Sequence, residues 1–263
     1  GGDRSAIIIS KQARHGTGGC ISGPMVSISL LVSLTTAFTL SGDGSALVVG
    51  GSGRVGGSTA RWLHKLSRQA NMPLSIALGG RGKQSFEAAA SRLSFNGAGF
   101  VEIDLDGDRD ALVEAVRGRS LVVHTAGPFQ QREDPVLLRA CIEAGVPYCD
   151  VCDELVLSRN AKALSDEARA AGVPAVVSCG IWPGVSALMA AEAVAKLGGR
   201  GECERLEFSF HTAGTGGAGP TIVSATFLLL CTEVATYVDG KLFNKEPWTE
   251  RSVVDFGPGA PLH

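Results

Sequence analysis

The sequence predicts an α/β fold with a parallel, doubly wound sheet. From residue 45 onward, short apolar runs alternate with segments of helical periodicity, an order that favours parallel strands joined by crossover helices. The first apolar run leads into a glycine cluster, "ALVVGGSGRVGG", which stands directly before a helical segment. A chain of 263 residues is also long enough to bury a substantial core in one large domain or two smaller ones.

The apolar pattern predicts each strand and helix of this sheet in turn. In the helical segment after the glycine cluster, Ala60, Leu63 and Leu66 fall on one face. Strands are predicted at 46–50, 74–80, 100–105, 121–127, 147–152 and 174–180. Helices are predicted between and after them at 58–70, 85–93, 110–118, 135–145, 160–172 and 184–199.

The pattern changes in the C-terminal part of the chain. There "ERLEFSFHTAG" alternates like a half-exposed strand, and 221–240 is predicted as one helix. Its apolar run is interrupted by Glu233, Tyr237 and Asp239, which favours a buried helix over a membrane span. We therefore predict a first domain at 45–200 and a second, smaller α+β domain for substrate binding or dimerisation at 201–263. The second domain is expected to be incomplete, because one strand, one helix and a tail do not close a sheet.

The composition excludes several classes of ligand and site. The formal net charge of -2 provides no basic surface for nucleic acid, so a small molecule is the expected partner. Seven cysteines at irregular spacing do not form a disulfide pattern and indicate a reducing compartment. Cys149 and Cys152 form a C-x-x-C pair, but no further ligands stand at a comparable spacing, so no metal site is predicted. We interpret the pair as two ordinary thiols near a strand end, with a redox motif as the alternative.

Residues 1–44 differ in kind from the rest and are predicted to be a disordered leader or targeting segment. Between Arg4 and Gly42 there is no Asp or Glu, whereas Ser and Thr are frequent. This composition fits an organelle transit peptide, which would direct the protein to a plastid (chloroplast) or a mitochondrion. A secretory signal, a membrane anchor and an untranslated or unstructured leader are the alternatives, and a cytoplasmic location is the alternative to an organelle. No stable membrane span is predicted in the mature domain.

The glycine cluster carries a G-x-G-x-x-G motif between a strand and a helix. In that position the first glycine permits a tight turn, the second lets the backbone approach a pyrophosphate, and the third lets the helix pack on the strand. The motif therefore predicts a Rossmann-type dinucleotide-binding site. A G-x-x-G-x-x-G register, which starts one residue earlier, fits equally and leaves open which glycines contact phosphate. The predicted cofactor contacts are Gly50, Gly51, Ser52, Gly53, Arg54, Val55 and Gly56.

The end of the second predicted strand favours NADP over NAD. An acid at this position would bind the ribose 2′-hydroxyl of NAD and repel the 2′-phosphate of NADP. The sequence there is "LGGRGK", without an acid, and Arg81 and Lys83 are available to pair with a phosphate. NADP is therefore the predicted cofactor, with NAD as the alternative. Asp104, after the third strand, is a candidate for the adenine edge or a turn residue.

Further candidates follow the fourth predicted strand in "HTAGPFQ", at the edge where open parallel sheets bind ligands. Ala126 and Gly127 are small enough for the backbone to approach a cofactor, and Pro128 with Phe129 would fix the loop beside the nicotinamide. His124 is a candidate proton donor. Because it ends a buried strand, it also fits a hydrogen-bonded histidine of the core.

Together these segments resemble the saccharopine dehydrogenase-like oxidoreductases, also called the saccharopine reductase family. The likeness runs in order through "VVGGSGRVGGSTA", "HTAGPFQ", "LLRACIEAGVPYCDVCDE" and "SCGIWPGVSALMA", and it covers residues 46–200. The resemblance implies an NAD(P)-binding Rossmann domain, an inserted second domain, a role in amino-acid metabolism, and hydride exchange with a carbon–nitrogen or related double bond. It also implies that the nicotinamide lies between loops that hold Cys152, Ile181 and Trp182.

The sequence departs from that family in two respects. Saccharopine reductases carry acidic residues where this chain has Trp182 and Ser186, which argues against saccharopine as the substrate. Related proteins also continue for many residues beyond "VDFGPGAPLH". A truncated product or an alternative transcript is therefore one expectation.

We predict an NADP-dependent oxidoreductase that transfers a hydride to or from a C=N, C=O or C=C bond of a small metabolite. The catalytic candidates are Asp153, Glu154 and His124, because such a reaction also needs a proton donor. A carboxyl would need burial to raise its pKa, and both acids equally fit caps of the next helix.

Other classes of protein stay open as alternatives. One is a non-catalytic dinucleotide-binding protein that acts as a redox sensor or a scaffold. An extended short-chain dehydrogenase is another, but its Tyr-x-x-x-Lys pair is matched only by Tyr237 and Lys241, which stand across a glycine late in the chain. A homodimer is open as an alternative to a monomer.

Overall fold

The structure is a computed structural model that describes residues 4–10, 44–93, 98–127, 131–211, 220–249 and 253. The chain divides into two compact units, residues 27–185 and residues 1–26 together with 186–263. The predicted dinucleotide site lies in the first of these units. The division falls before residue 200, where the sequence predicts the boundary between two domains.

The first unit is built on a six-stranded parallel sheet, which confirms the predicted α/β class. After β1 (Arg4–Ser10), which belongs to the second unit, its strands are β2 (Ser45–Val49), β3 (Ser75–Gly80), β4 (Gly99–Glu102), β5 (Leu121–His124), β6 (Tyr148–Asp150) and β7 (Ala175–Val176). Their order across the sheet is β4-β3-β2-β5-β6-β7. The chain winds outward from the central β2 in both directions, which is the doubly wound arrangement of the Rossmann fold.

Helices connect the strands of this sheet. They are α1 (Arg54–Gln69), α2 (Lys83–Leu93), α3 (Arg109–Val116), α4 (Val136–Ala144), α5 (Leu155–Ala163) and α6 (Ser165–Ala170). α1 begins before the predicted start at residue 58, because Gly56 and Gly57 are buried in its first turn and packing outweighs their low helix propensity. The predicted helix 160–172 is in fact two helices, since α5 begins earlier and ends before Leu164.

The core occupies both faces of the sheet, because successive side chains of a strand point to opposite sides. On one face, Leu47 of β2 lies in a buried cluster with Val122 of β5 and with apolar side chains of α3 and α4. On the other face, Val48 lies in a second cluster with Ala60 of α1. This two-sided burial explains why residues 46–49 of β2 and 121–123 of β5 form apolar runs without polar alternation.

The second unit contains a strand from each end of the chain. β1 pairs antiparallel with β8 (Arg205–His211), so that Ile7 lies opposite Phe208. The helices that follow the sheet are α7 (Val185–Lys196) and α8 (Pro220–Leu230). β1 falls within the predicted leader, so part of that segment forms a strand, while its targeting role stays a prediction. None of the helices in the described part of the chain combines the length and the hydropathy that crossing a bilayer requires.

The prediction of one helix over 221–240 is wrong in its second half. α8 ends at Leu230, and β9 (Val234–Val238) and β10 (Lys241–Lys245) form an antiparallel hairpin. Asp239 and Gly240 make its two-residue turn, with φ of 51° and 73°. Asp-Gly supplies this left-handed pair of conformations readily, and the β-branched and aromatic residues of β9 favour a strand. The turn chemistry therefore outweighs the apolar run.

Truncation of a buried leucine tests the packing of this core. Because the side chain of Leu137 in α4 is 1% exposed, we expect Leu137→Ala to leave a cavity and to lower the free energy of unfolding by about 2–5 kcal/mol. Leu66→Ala, at an exposed position of α1, is the matched control and should change it by less than about 0.5 kcal/mol. Urea unfolding followed by circular dichroism measures the free energy of unfolding of both variants. Small decreases of equal size in the two variants would contradict the buried position of Leu137.

Candidate functional site

Three glycines shape the turn after β2, and none of their positions has room for a side chain. Gly50 has a φ of 79°, in the left-handed region, and a Cβ on it would lie 2.7 Å from Cα of Ala126. A Cβ on Gly51 would lie 2.8 Å from the carbonyl oxygen of Val48, and a Cβ on Gly56 would lie 2.3 Å from the carbonyl oxygen of Gly50. These separations are shorter than real contacts, so the turn itself requires all three glycines.

Gly53 differs from them, because a Cβ there would make one tight contact and no clash. A Cβ there would meet only the carbonyl oxygen of Gly50, at 3.2 Å, and its backbone, with φ -72°, suits any residue. Gly53 is the N-cap of α1 without a side-chain cap bond, and the first turn of α1 has no acid. Since first-turn amides lack intrahelical acceptors, this helix end is suited to bind a phosphate. Both glycine registers fit this turn, because its backbone requires Gly50 and Gly51 alike, and which glycines contact phosphate stays a prediction.

The end of β3 lies beside this turn. A Cβ on Gly80 would lie 3.8 Å from Oγ of Ser52 in the glycine loop. Arg81 follows directly and is exposed, as is Lys83 at the start of α2. Within the described residues neither cation forms an ion pair. Both side chains are therefore available to a 2′-phosphate held next to the glycine loop.

The loop after β5 borders the turn from the other side. Thr125 donates from its backbone N–H, at 2.8 Å, and from its hydroxyl, at 2.7 Å, to the carbonyl oxygen of Val49. Ala126 contacts the glycine turn, and Gly127 has a φ of 102° that favours glycine. Two further predicted contacts lie outside the described residues, namely Pro128 and Phe129.

Asp104 follows β4 and builds a turn of its own. Its carboxylate accepts the N–H of Asp106 at 3.1 Å, and its carbonyl oxygen accepts the N–H of Gly107 at 3.1 Å. Asp commonly forms such an Asx turn. This geometry accounts for Asp104 as a turn residue, which is one of the two interpretations that the sequence left open, and a contact with adenine stays a prediction.

His124, Tyr148 and Asp150 form a buried hydrogen-bond chain across β5 and β6. The Tyr148 hydroxyl donates to Oδ2 of Asp150 at 3.1 Å, and Nδ1 of His124 lies 2.9 Å from the same hydroxyl. Because a phenol carries a single hydrogen, His124 donates from Nδ1 to the phenol oxygen. Its Nε2 atom is buried and has no hydrogen-bond partner among the described residues.

Burial controls the protonation of this chain of side chains. It lowers the pKa of His124 to about 4, against an opposing effect of the nearby Asp150, so the ring is neutral at pH 7. It raises the pKa of Tyr148 well above its ordinary value, and Asp150 adds to this shift. A neutral, hydrogen-bonded imidazole matches the core histidine that the sequence offered as the alternative to a proton donor. The cavity beside it measures about 10 Å³, close to the space of one water molecule, so no substrate fits there.

The other two predicted proton donors, Asp153 and Glu154, have different surroundings. Oε1 of Glu154 accepts the backbone N–H of Gln131 at 2.8 Å. Asp153 is half-buried, and this burial, together with the neighbouring charge of Glu154, raises its pKa to about 6. A carboxyl group with such a pKa is protonated often enough near neutrality to act as a general acid. Asp153 is therefore the better chemical candidate of the two.

The thiols of the C-x-x-C pair are protonated. Burial raises the pKa of Cys149 to about 12 and also raises the pKa of Cys152. Since the thiolate is the reactive form, both residues behave as small apolar side chains at pH 7. Within the described ranges, no group of three or more His, Cys, Asp and Glu side chains is arranged to hold a metal ion.

The loop after β7 carries the last two predicted contacts, Ile181 and Trp182. Gly180 and Gly184 pair as an isolated bridge, and the N–H of Val185 donates to the carbonyl oxygen of Gly180 at 3.0 Å. These bonds close the base of the loop and leave Ile181 51% exposed. Because the strands are parallel, this loop lies at the same edge of the sheet as the loops after β5 and β6.

The sequence did not reveal three residues of this edge: Thr125, Tyr148 and Asp150. Tyr148 and Asp150 stand two apart on β6, and therefore on the same face of a buried strand. Buried polar side chains need partners, so the Tyr-x-Asp pattern was a signal that could have indicated them. Thr125 has no comparable signal, because its role depends on the register between β5 and β2.

A comparison with known protein families agrees with this geometry. Residues 46–176 match the family model described as the saccharopine dehydrogenase NADP-binding domain. The chain belongs to the saccharopine dehydrogenase-like family. The match spans the sheet from β2 to β7 and confirms the resemblance seen in the sequence. Because the matched family binds NADP, it also confirms NADP over NAD as the cofactor of this saccharopine dehydrogenase-like chain.

Solved structures are similar only at a low level. Saccharopine dehydrogenase (L-Glu forming) from Saccharomyces cerevisiae is 18% identical, with a TM-score of 0.47 over 59% of this chain and 32% of that chain. Pen from Bacillus thuringiensis is 12% identical, with a TM-score of 0.40 over 52% of this chain and 49% of that chain. Vestitone reductase from alfalfa (Medicago sativa L.) is 16% identical, with a TM-score of 0.37 over 51% of this chain and 56% of that chain.

These scores carry no argument about function. The saccharopine dehydrogenase-like chain spans 32% of the length of the yeast enzyme. No curated protein matches it. The family assignment therefore rests on residues 46–176.

The two roles of glycine predict different outcomes for the same substitution. Gly56→Ala places a Cβ 2.3 Å from a carbonyl oxygen, so we expect it to lower the free energy of unfolding by about 2 kcal/mol or more. Gly53→Ala should stay within about 1 kcal/mol of wild type. It should nevertheless weaken NADPH binding about tenfold, because its methyl group fills the space next to the phosphate. Thermal unfolding and calorimetric titration measure both, and a stable Gly56→Ala would contradict the packing role.

Proposed function

We propose that this chain is an NADP-dependent oxidoreductase that transfers a hydride to or from a C=N, C=O or C=C bond of a small metabolite. The observation that carries the proposal is the glycine turn, in which Gly53 leaves room for a phosphate at the N-terminus of α1. When bound, the nicotinamide supplies or accepts the hydride. The residues of the chain hold the two reactants and move the proton.

The strand order supports one orientation of the dinucleotide. In doubly wound sheets, the ligand lies outside the carboxyl ends of the strands, across the point where the winding reverses. Here that point lies between β2 and β5. Exposed Arg81 and Lys83 on the β3 side suit the 2′-phosphate of the adenosine half. The nicotinamide half then lies over the ends of β5, β6 and β7, near the loops that hold Cys152 and Ile181.

Asp153 supports the proton-transfer half of the reaction. Reduction of a C=N or C=O bond adds a proton to nitrogen or oxygen as well as a hydride to carbon. Asp153 follows β6, on the nicotinamide side of the sheet, with its pKa raised to about 6 by burial. His124 is hydrogen-bonded to Tyr148, and Glu154 to Gln131, which leaves Asp153 as the proposed donor.

A non-catalytic role as a redox sensor or a scaffold is the second candidate. It is favoured by the hydrogen bonds of His124 and Glu154, which commit two of the three candidate donors to the fold. Saturable NADPH binding without turnover of any imine, keto acid or activated alkene would distinguish this role from catalysis.

Three further parts of the proposal have separate support. The acid-poor composition of residues 1–44 supports transport to a plastid or mitochondrion. The family supports a role in amino-acid metabolism. The exposed side chains of Tyr237 and Phe243 on the hairpin of β9 and β10 support a homodimer.

Reversing the charge of Arg81 tests the cofactor preference. We expect wild type to bind NADPH more tightly than NADH, and Arg81→Asp to weaken NADPH binding about tenfold or more while it changes NADH binding less than about threefold. Arg68→Asp, at the far end of α1, is the charge-matched control and should preserve the preference. Calorimetric titration measures both ligands. A preference for NADPH that persists in Arg81→Asp would contradict a 2′-phosphate site at β3.

The proton donor predicts a pH dependence. Only the protonated carboxyl of Asp153 can donate, so the rate of substrate reduction should fall as the pH rises through its pKa of about 6. Asp153→Asn should lose this dependence and lower kcat about 100-fold to 10,000-fold. Absorbance of NADPH during turnover of an imine or keto-acid panel provides the measurement, with exposed Asp166→Ala as the control. An unchanged profile in Asp153→Asn would exclude this residue as the donor.

A further inference from the structure

Asp150, at the carboxyl end of β6, is a buried acid that the proposed reaction does not use. Its side chain is 5% exposed, and both carboxylate oxygens accept hydrogen bonds. Oδ1 accepts the backbone N–H of Cys152 at 3.0 Å and that of Ser178 at 2.8 Å, and Oδ2 accepts the hydroxyl of Tyr148 at 3.1 Å. The carbonyl oxygen of Asp150 also accepts the N–H of Cys179 at 2.7 Å. One residue therefore holds two separate loops.

These two loops follow adjacent strands. Cys152 lies in the loop after β6, and Ser178 lies in the loop after β7. Ser178 has a φ of 60°, a left-handed conformation that a side chain disfavours, and its bond to Asp150 helps to hold it there. Its hydroxyl also lies 3.0 Å from that of Ser158 in α5. The strand pairing of β7 ends at Val176. Beyond that residue, hydrogen bonds to the carboxylate of Asp150 hold the two loops together.

Stability of the fold does not by itself explain a buried carboxylate at this position. Burying an acid costs free energy unless donors replace the water that it loses, and apolar groups often serve stability equally well. The carboxylate of Asp150 adds a fixed geometry, because one oxygen accepts amides from two loops at once. The bond from Tyr148 to the other oxygen fixes the plane of the group.

We propose that Asp150 is a positioning residue for the nicotinamide half of the site, where it sets the separation of the loops after β6 and β7. The inference rests on the proposed function, in which the nicotinamide lies over the ends of β5, β6 and β7. Asp150 acts through the backbone of Cys152 and Ser178 and touches neither cofactor nor substrate. The adenosine half, held by the glycine turn and Arg81 on the other side of β2, does not depend on it.

The contributions of the two halves of the site can be distinguished with two ligands, NADPH and 2′,5′-ADP, because 2′,5′-ADP lacks the nicotinamide. Calorimetric titration of the full chain measures both. We expect Asp150→Ala to weaken NADPH binding about tenfold or more and 2′,5′-ADP binding less than about twofold. Asp150→Asn keeps an amide oxygen that accepts both backbone N–H groups, so it should weaken NADPH binding only about two- to threefold. Asp166→Ala, an exposed acid of α6, is the control and should match wild type.

If Asp150 had a merely structural role, its substitution would weaken the binding of both ligands alike. An equal loss of affinity for NADPH and 2′,5′-ADP in the Asp150 variants would therefore overturn the proposal. If Asp150→Ala does not fold, Asp150→Asn decides. Its selective loss of NADPH binding would support the proposal, and wild-type affinity for NADPH would overturn it. A wild-type chain that binds neither ligand would overturn the proposed function and this inference with it. Normal wild-type binding without selective loss in the variants would overturn the inference alone.

Discussion

The fold and the site both depend on the close approach between the turn after β2 and the loop after β5. Across this contact, a Cβ on Gly50 would lie 2.7 Å from Cα of Ala126, and a Cβ on Gly56 would lie 2.5 Å from the hydroxyl oxygen of Thr125. Thr125 holds the contact with two hydrogen bonds to the last carbonyl of β2. Because the winding of the sheet reverses here, the contact that joins the two halves of the fold also borders the ligand crevice.

The two sides of this crevice differ in their physical chemistry. On the β3 side, Arg81 is exposed and without an ion pair among the described residues, which suits a charged phosphate in water. On the β6 side, His124 is neutral, buried and hydrogen-bonded, and Asp150 is enclosed by donors. A dinucleotide has the same asymmetry, because its adenosine end carries the extra phosphate of NADP and its nicotinamide end reacts where water is best excluded.

Much of the sheet could be predicted from sequence because buried parallel strands are apolar runs, and tight turns restrict their residues to glycine. The structural role of Gly50 could not, since it depends on how near Ala126 lies to Gly50 across the sheet. The hydrogen-bond chain could not either, because His124 and Asp150 become neighbours only through the register of β5 and β6. The apolar run at 221–240 fitted either a helix or strands, and the turn at Asp239 makes its second half a hairpin.

NADPH is expected to lie across the carboxyl ends of β2 and β5, and an NMR titration of the isotope-labelled chain tests this location most directly. The amide signals of Gly51, Gly53 and Ala126 should shift in a saturable manner. Those of Gly44 and Ser120, at the opposite edge of the sheet, should stay in place. Shifts confined to that opposite edge, or no shifts at all in a folded sample, would contradict the dinucleotide site.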